Sequence, residues 1–375
     1  MANLNDYIVW RGDLTFEQAP FCELDAAVFS LFSYFDFEDI VSSRLEANAI
    51  TMKDAARQYW SNCDNDKEPY KLAKGITHMP KEIWRMLRLM ARADRYKDLK
   101  LSGYVNQIDF AEEKQFSAIV ITIKRGLRVI SFRGTDDTLV GWKEDFNMSF
   151  LDIIPAQKDA LDYLEKASKK TLGEWILCGH SKGGNLAIFS CVYARESVQK
   201  RIRNVYSFDG PGLQEDIVDS QAYQGVKDKL RNYLPRFSVV GMMLRFDNNY
   251  QVVQSNQISL LQHNLFSWKV LRTKFIYAKD ISIKSKAFDE SLRKWFYNTD
   301  ANQRKKFVDT IFYILDDSGR ETLKDLNSRK ALEVLKSITG VDEEVRTIVK
   351  QFLAILYETR KQNIEIRLRV TRDKK

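Results

Sequence analysis

Histidine is scarce in this sequence: His78, His180 and His263 are the 3 in a chain of 375 residues. They form no H-x-x-x-H pair, which excludes the common helical zinc-protease signature. Cysteine is nearly as rare, and Cys22, Cys63, Cys178 and Cys191 contain no C-x-x-C spacing. That removes zinc-ribbon and dithiol redox chemistry and leaves reduced, mostly packed thiols. Neither a P-loop nor a dinucleotide fingerprint occurs, so no cofactor and no metal are expected. Nowhere do about 18 uncharged apolar residues run together, which argues against a membrane span. The opening MANLNDYIVWRGDLTFEQAP lacks the basic and then apolar order of a secretion signal, so a cytoplasmic location is the expectation.

What is present is an ordinary globular composition, with 44% apolar and 29% charged residues, and a length that usually exceeds one core. The net charge of +8 raises the question of a nucleic-acid partner. Its distribution answers against one. Between Arg346 and Lys375 nine Lys or Arg stand against three Asp or Glu, so the tail carries most of the excess and the body is nearly neutral. The segment ETRKQNIEIRLRVTRDKK alternates charge with apolar residues, which suits a solvated helix end or a weak peripheral contact with an anionic membrane. It lacks the interleaved aromatics that stack on bases.

Apolar periodicity divides the chain. CELDAAVFSLFSYFDFEDIV and KEIWRMLRLMAR carry apolar residues three and four apart, predicting a helical N-terminal part over residues 1–100. SAIVITI and LRVISF, joined by KRG, read as a β-hairpin. WKEDFNMSF and PAQKDALDYLEKASKK return to helical spacing, EWILCG is a short apolar strand, GGNLAIFSCVYARES a helix and IRNVYSF another strand. This rhythm predicts an α/β fold with a mostly parallel sheet covered by helices on both faces. From about Ser285 four further helical segments make a C-terminal region.

The stretch ILCGHSKGGNLAIFS sets Ser181 in a G-x-S-x-G pattern between an apolar strand and a helix. The pattern alone is weak. The strand-turn-helix context is what a nucleophile elbow needs, because the chain must turn sharply with no bulk beside the serine. A serine hydroxyl also needs a general base, an acid to orient that base, and donors for an oxyanion. His263, in SLLQHNLFSW, follows the last strand-like segment and is the candidate base. His180 is read as packing near the sheet and His78 as a loop or capping residue. Asp209, in VYSFDGPG, closes a strand at the sheet's C-terminal edge and is favoured as the acid; its plainer reading is an Asx turn. Asp247, in LRFDNNY, is the rival, with a hairpin turn as its plainer reading. The oxyanion donors expected are the Lys182 amide and Thr135, in VISFRGTDDT, where Thr135 could equally cap a helix. The Arg133 and Lys182 side chains are further candidates to bring positive charge near the site, with Lys182 alternatively reaching solvent.

With VISFRGTDDTLVGWKEDF, GHSKGGNLA, SFDGPG and QHNLFSW in view, the chain resembles a bacterial family of lipase-like α/β-hydrolases, a domain of unknown function distantly related to the class 3 lipases. The likeness runs from the N-terminus to about Trp268. It implies a Ser, Asp, His hydrolase with Ser181 as nucleophile, His263 as base and the Thr135 loop as oxyanion donor. Class 3 lipases carry the acid in a later segment; the corresponding LPRFSVVGMML offers Ser238 but no carboxylate. Together with the helical pattern after Ser285, the expected organisation is a lipase-like domain over residues 1–280 and a helical region over 281–375. The family brings no substrate with it, and the expected reaction is hydrolysis of a small-molecule or lipid ester through an acyl-enzyme. The alternative is a hydrolase fold kept as a non-catalytic binding or regulatory module.

Overall fold

The computed structural model describes residues 2–45, 48–62, 81–109, 114–135, 148, 153–244, 249–283, 285–287, 290, 298–300 and 302–304. His78, Cys63, Asp247, the expected helix at WKEDFNMSF apart from Met148, most of the expected C-terminal helices and the basic tail lie outside the described residues.

Helices α1 (Leu4–Arg11) and α2 (Glu23–Phe32) open the chain, followed by strand β1 (Ile50–Thr51) and helices α3 (Met52–Asn62) and α4 (Glu82–Met90). The expected helix over CELDAAVFSLFSYFDFEDIV stops ten residues in, at Phe32. Its remainder is a run of aromatics that must be buried in different directions. Phe35 and Phe37 turn into a cluster with Tyr59, while Tyr34 faces His180. A single helical face cannot send neighbouring rings both ways.

Strands β2 (Lys100–Asp109), β3 (Lys114–Lys124) and β4 (Leu127–Phe132) form an antiparallel meander. Helix α5 (Pro155–Lys170), strand β5 (Glu174–His180), helix α6 (Lys182–Tyr193), the short helix α7 (Glu196–Gln199) and strand β6 (Ile202–Phe208) supply the alternating part. Short helices α8 (Glu215–Asp219) and α9 (Gln221–Val226) then lead to β7 (Leu230–Pro235) and β8 (Tyr250–Val253). A small two-stranded sheet, β9 (Val270–Leu271) with β10 (Lys274–Phe275), precedes the edge strand β11 (Tyr277–Ala278). The main sheet runs β1-β2-β3-β4-β5-β6-β7-β8-β11. Its five strands from β4 to β8 are parallel, and the remaining pairings are antiparallel.

The run SAIVITI has no polar face because both of its faces are covered. Ile119, Ile121 and Ile123 of β3 join a core with α1 to α4, whereas Ala118 and Val120 join a second core with α5 and α6. The first core is dense in rings: Phe16, Phe29 and Tyr96 meet at centroid distances of 5.8–6.4 Å. It also holds a buried ion pair. Arg95 donates from Nε and Nη2 to both oxygens of Asp25, at 2.8 and 2.7 Å, and from Nη1 and Nη2 to the Ala19 and Pro20 carbonyls. Tyr7 and Tyr96 add hydroxyl donors to Asp25, so the carboxylate is fully engaged where water is absent. Burial, followed by the Asp25 charge, pushes both tyrosine hydroxyls well above their ordinary pKa and keeps them protonated donors. Among the described cysteines, Cys22, Cys178 and Cys191 are free thiols; burial pushes Cys178 up to about 11 and Cys191 up to about 12. No helix among the described residues is long and apolar enough to cross a membrane.

Candidate active site

Strand β5 ends at His180 and α6 begins at Lys182, leaving one residue for the reversal. Ser181 takes φ 57° and ψ −135°, a backbone region that side-chain-bearing residues rarely occupy and that marks stored strain. The strain is held by the neighbours. The Ser181 N–H donates to the Phe208 carbonyl at 3.0 Å, and the Gly184 N–H returns to the Ser181 carbonyl at 2.9 Å. Glycine is required on both sides because the strand and helix backbones nearly touch. A Cβ on Gly179 would stand 2.1 Å from the Gly183 carbonyl, and one on Gly183 would stand 2.2 Å from the Phe132 oxygen. This strand-turn-helix has the geometry that a nucleophile elbow requires.

The loop leaving β4 lies against that turn. A Cβ on Gly134 would meet Ser181 Cβ at 3.0 Å, the His180 carbonyl at 2.4 Å and the Tyr34 hydroxyl at 2.1 Å. Thr135, half-buried, follows Gly134 in this loop, and Lys182 opens α6 directly after Ser181. The Lys182 side chain does not reach solvent: it is fully buried, and Nζ donates to the Gln115 carbonyl at 2.9 Å. Arg133 is also buried, and its guanidinium has no hydrogen-bond partner among the described residues.

Asp209 follows β6 at the same edge of the sheet, 1% exposed and with φ 47°. Its Oδ1 accepts from Ser238 Oγ at 2.5 Å, and its Oδ2 accepts from His263 Nδ1 at 2.6 Å. His263 closes a 3-10 turn, Ser259–His263, and its side chain is 29% exposed while the acid is sealed. With Nδ1–H committed to the carboxylate, Nε2 is left as the basic nitrogen. The structure therefore brings Asp209 and His263 together, and it sets Gly134, the residue before Thr135, against the turn formed by Ser181 and Lys182. Ser238, noted in the sequence only for not being an acid, proves to donate to Asp209.

Two contributors escaped sequence reasoning. His180 is buried beside the sheet as read, but its ring turns toward His263, with centroids 4.4 Å apart. Tyr34 bonds that ring from beyond the end of α2, at 3.0 Å. No sequence signal marks Tyr34 among the aromatics around it. The presence of a histidine inside the elbow motif was the available hint for the other.

A central sheet parallel from β4 to β8, helices on both faces and an elbow at the end of β5 define an α/β-hydrolase-like fold. The model of the Mbeg1-like family matches residues 90–313, and the chain belongs to that family. The match spans Thr135, Ser181, Asp209 and His263 and leaves out the first three helices. Among solved structures, the chain is similar to one titled crystal structure of M37 lipase, at 16% identity and a TM-score of 0.33, over 59% of this chain and 68% of that one. No curated protein matches significantly.

Proposed function

We propose that the protein is a serine hydrolase that cleaves a carboxylic ester, of a small molecule or a lipid, through an acyl-enzyme. The observation that carries this is the 2.6 Å hydrogen bond between His263 Nδ1 and the buried Asp209, formed at the sheet edge where the strained Ser181 turn stands. A carboxylate bonded to one imidazole nitrogen fixes the tautomer, orients the ring and stabilises the imidazolium that forms as the serine is deprotonated.

In the first step His263 Nε2 takes the Ser181 hydroxyl proton while Oγ attacks the ester carbonyl carbon. The resulting oxyanion faces the Lys182 amide, at the positive end of α6, and the Thr135 amide or hydroxyl. The proton passes from His263 to the departing alcohol and leaves Ser181 acylated. Water, deprotonated by the same nitrogen, then attacks the acyl group, and its proton returns through His263 to Ser181. Asp209 keeps its charge throughout, with Ser238 and His263 satisfying both of its oxygens.

The test is labelling by a fluorophosphonate probe together with turnover of p-nitrophenyl esters of graded chain length. Wild type should label and turn over, with a chain-length optimum that reports the acyl pocket. Ser181→Ala should do neither, and Asp247→Asn should match wild type while Asp209→Asn does not. A folded wild type that neither labels nor turns over would leave the fold as a non-catalytic module.

A further inference from the structure

Behind His263 stands a second histidine for which the proposed chemistry has no task. His180 is buried, and its Nε2 lies 2.9 Å from the main-chain oxygen of His263. Its Nδ1 lies 3.0 Å from the Tyr34 hydroxyl. A carbonyl oxygen only accepts, so Nε2 must carry the proton, and Nδ1 is then the acceptor for the Tyr34 O–H. Both ends of the ring are satisfied in one neutral tautomer. Burial first, and then the nearby His263 ring, hold its pKa well below the ordinary imidazole value, so the ring stays neutral while the base works.

This bond joins two backbone segments 83 residues apart in the chain. His180 is the residue before Ser181, so its ring spans from the nucleophile's own backbone to the backbone of the base. The two imidazoles lie 4.4 Å apart, tilted at an interplanar angle of 37°. A charged ring at that distance would oppose the imidazolium that must form on His263; a neutral one does not. The Tyr34 hydroxyl abuts both supports of the site, the His180 ring and the close approach at Gly134. Phenylalanine at 180 would fill the space and supply neither bond.

Taking Ser181 as nucleophile and His263 as base, we propose that His180 and Tyr34 are positioning residues that set the base against the nucleophile. The N-terminal helical layer, through Tyr34, is thereby part of the active site rather than a cover over it.

The experiment compares Tyr34→Phe, His180→Phe and His180→Gln with wild type on p-nitrophenyl butyrate, with melting temperature recorded for each. Tyr34→Phe removes the hydroxyl that bonds His180 Nδ1 and should lower kcat by about fivefold to tenfold with little change in KM. His180→Phe lets the base drift and should lower kcat by about 100-fold. His180→Gln retains an amide donor for the His263 carbonyl and should recover to within about tenfold of wild type. A second readout needs no activity: the downfield proton resonance of His263 Nδ1–H bonded to Asp209 should persist in wild type and exchange away in His180→Phe. The proposal is overturned if folded His180→Phe keeps both the resonance and a kcat within about twofold of wild type. It is also overturned if kcat falls only in step with lost folded protein and His180→Gln does no better than His180→Phe. If wild type is inactive, hydrolysis fails as the function, and the resonance alone still decides whether His180 positions His263.

Discussion

The two halves of the candidate site are built in opposite ways. The elbow is local: β5, Ser181 and α6 are contiguous, and their geometry follows from glycines that let backbone meet backbone at Gly179 and Gly183. The half around His263, the candidate base, is dispersed, drawing Tyr34, Asp209, Ser238 and His263 from four separate segments and tying them by side-chain hydrogen bonds. Local sterics can specify a turn by composition alone. A dispersed set of polar groups needs the whole sheet and both helical layers in place before any one member has a partner.

Breaking the local half should have the largest effect. Ser181→Ala should remove esterase activity by about four to six orders of magnitude without lowering the melting temperature, since it leaves the turn's glycines intact. In the dispersed half, Asp209→Asn should lower kcat by about 10⁴-fold, because an amide can favour the wrong imidazole tautomer. Ser238→Ala removes only one donor from Asp209 and should cost about fivefold to tenfold in kcat. These three variants together show whether the orienting bonds act as a graded set.

The scaffold that delivers Tyr34 can be attacked at a distance. Arg95→Met strands the buried Asp25 carboxylate and should destabilise the fold by about 3–5 kcal/mol in urea titration. If the N-terminal layer is integral to the site, residual activity should vanish at the same urea concentration as the helical signal. The smallest effect is on pH dependence. The folded-state pKa of His180 is depressed, so below the ordinary imidazole pKa the unfolded chain binds a proton that the native one refuses. This contribution to stability is complete above about pH 6.5 and declines at lower pH, by no more than about 1.4 kcal/mol per pH unit. His180→Gln should flatten that decline in melts between about pH 6.5 and 5.

Much of the architecture was legible in the sequence. The hairpin, α5, β5, α6 and β6 fall where periodicity placed them, because each buries an apolar face along a regular element. Strand β2 was not anticipated: KLSGYVNQID is largely polar beyond Tyr104, and only its pairing with β3 makes it a strand. The end of α2 was missed because aromatics score as apolar wherever they point. Ser181 and His263 could be nominated from motif and order, and the preference for Asp209 came from its place at a strand end. Tyr34 and His180 could not, since hydrogen bonds between residues 146 positions apart leave no periodic trace.

The sequence by itself determined the elbow, because strand, small residues and helix are encoded within fifteen consecutive residues and the backbone has few ways to join them. Only the tertiary structure decided that the Asp209 carboxylate meets His263 rather than capping its own turn, and that His180 of the elbow faces His263 as well. Those outcomes depend on where separate loops end in space and on which buried polar groups must find one another once water is gone.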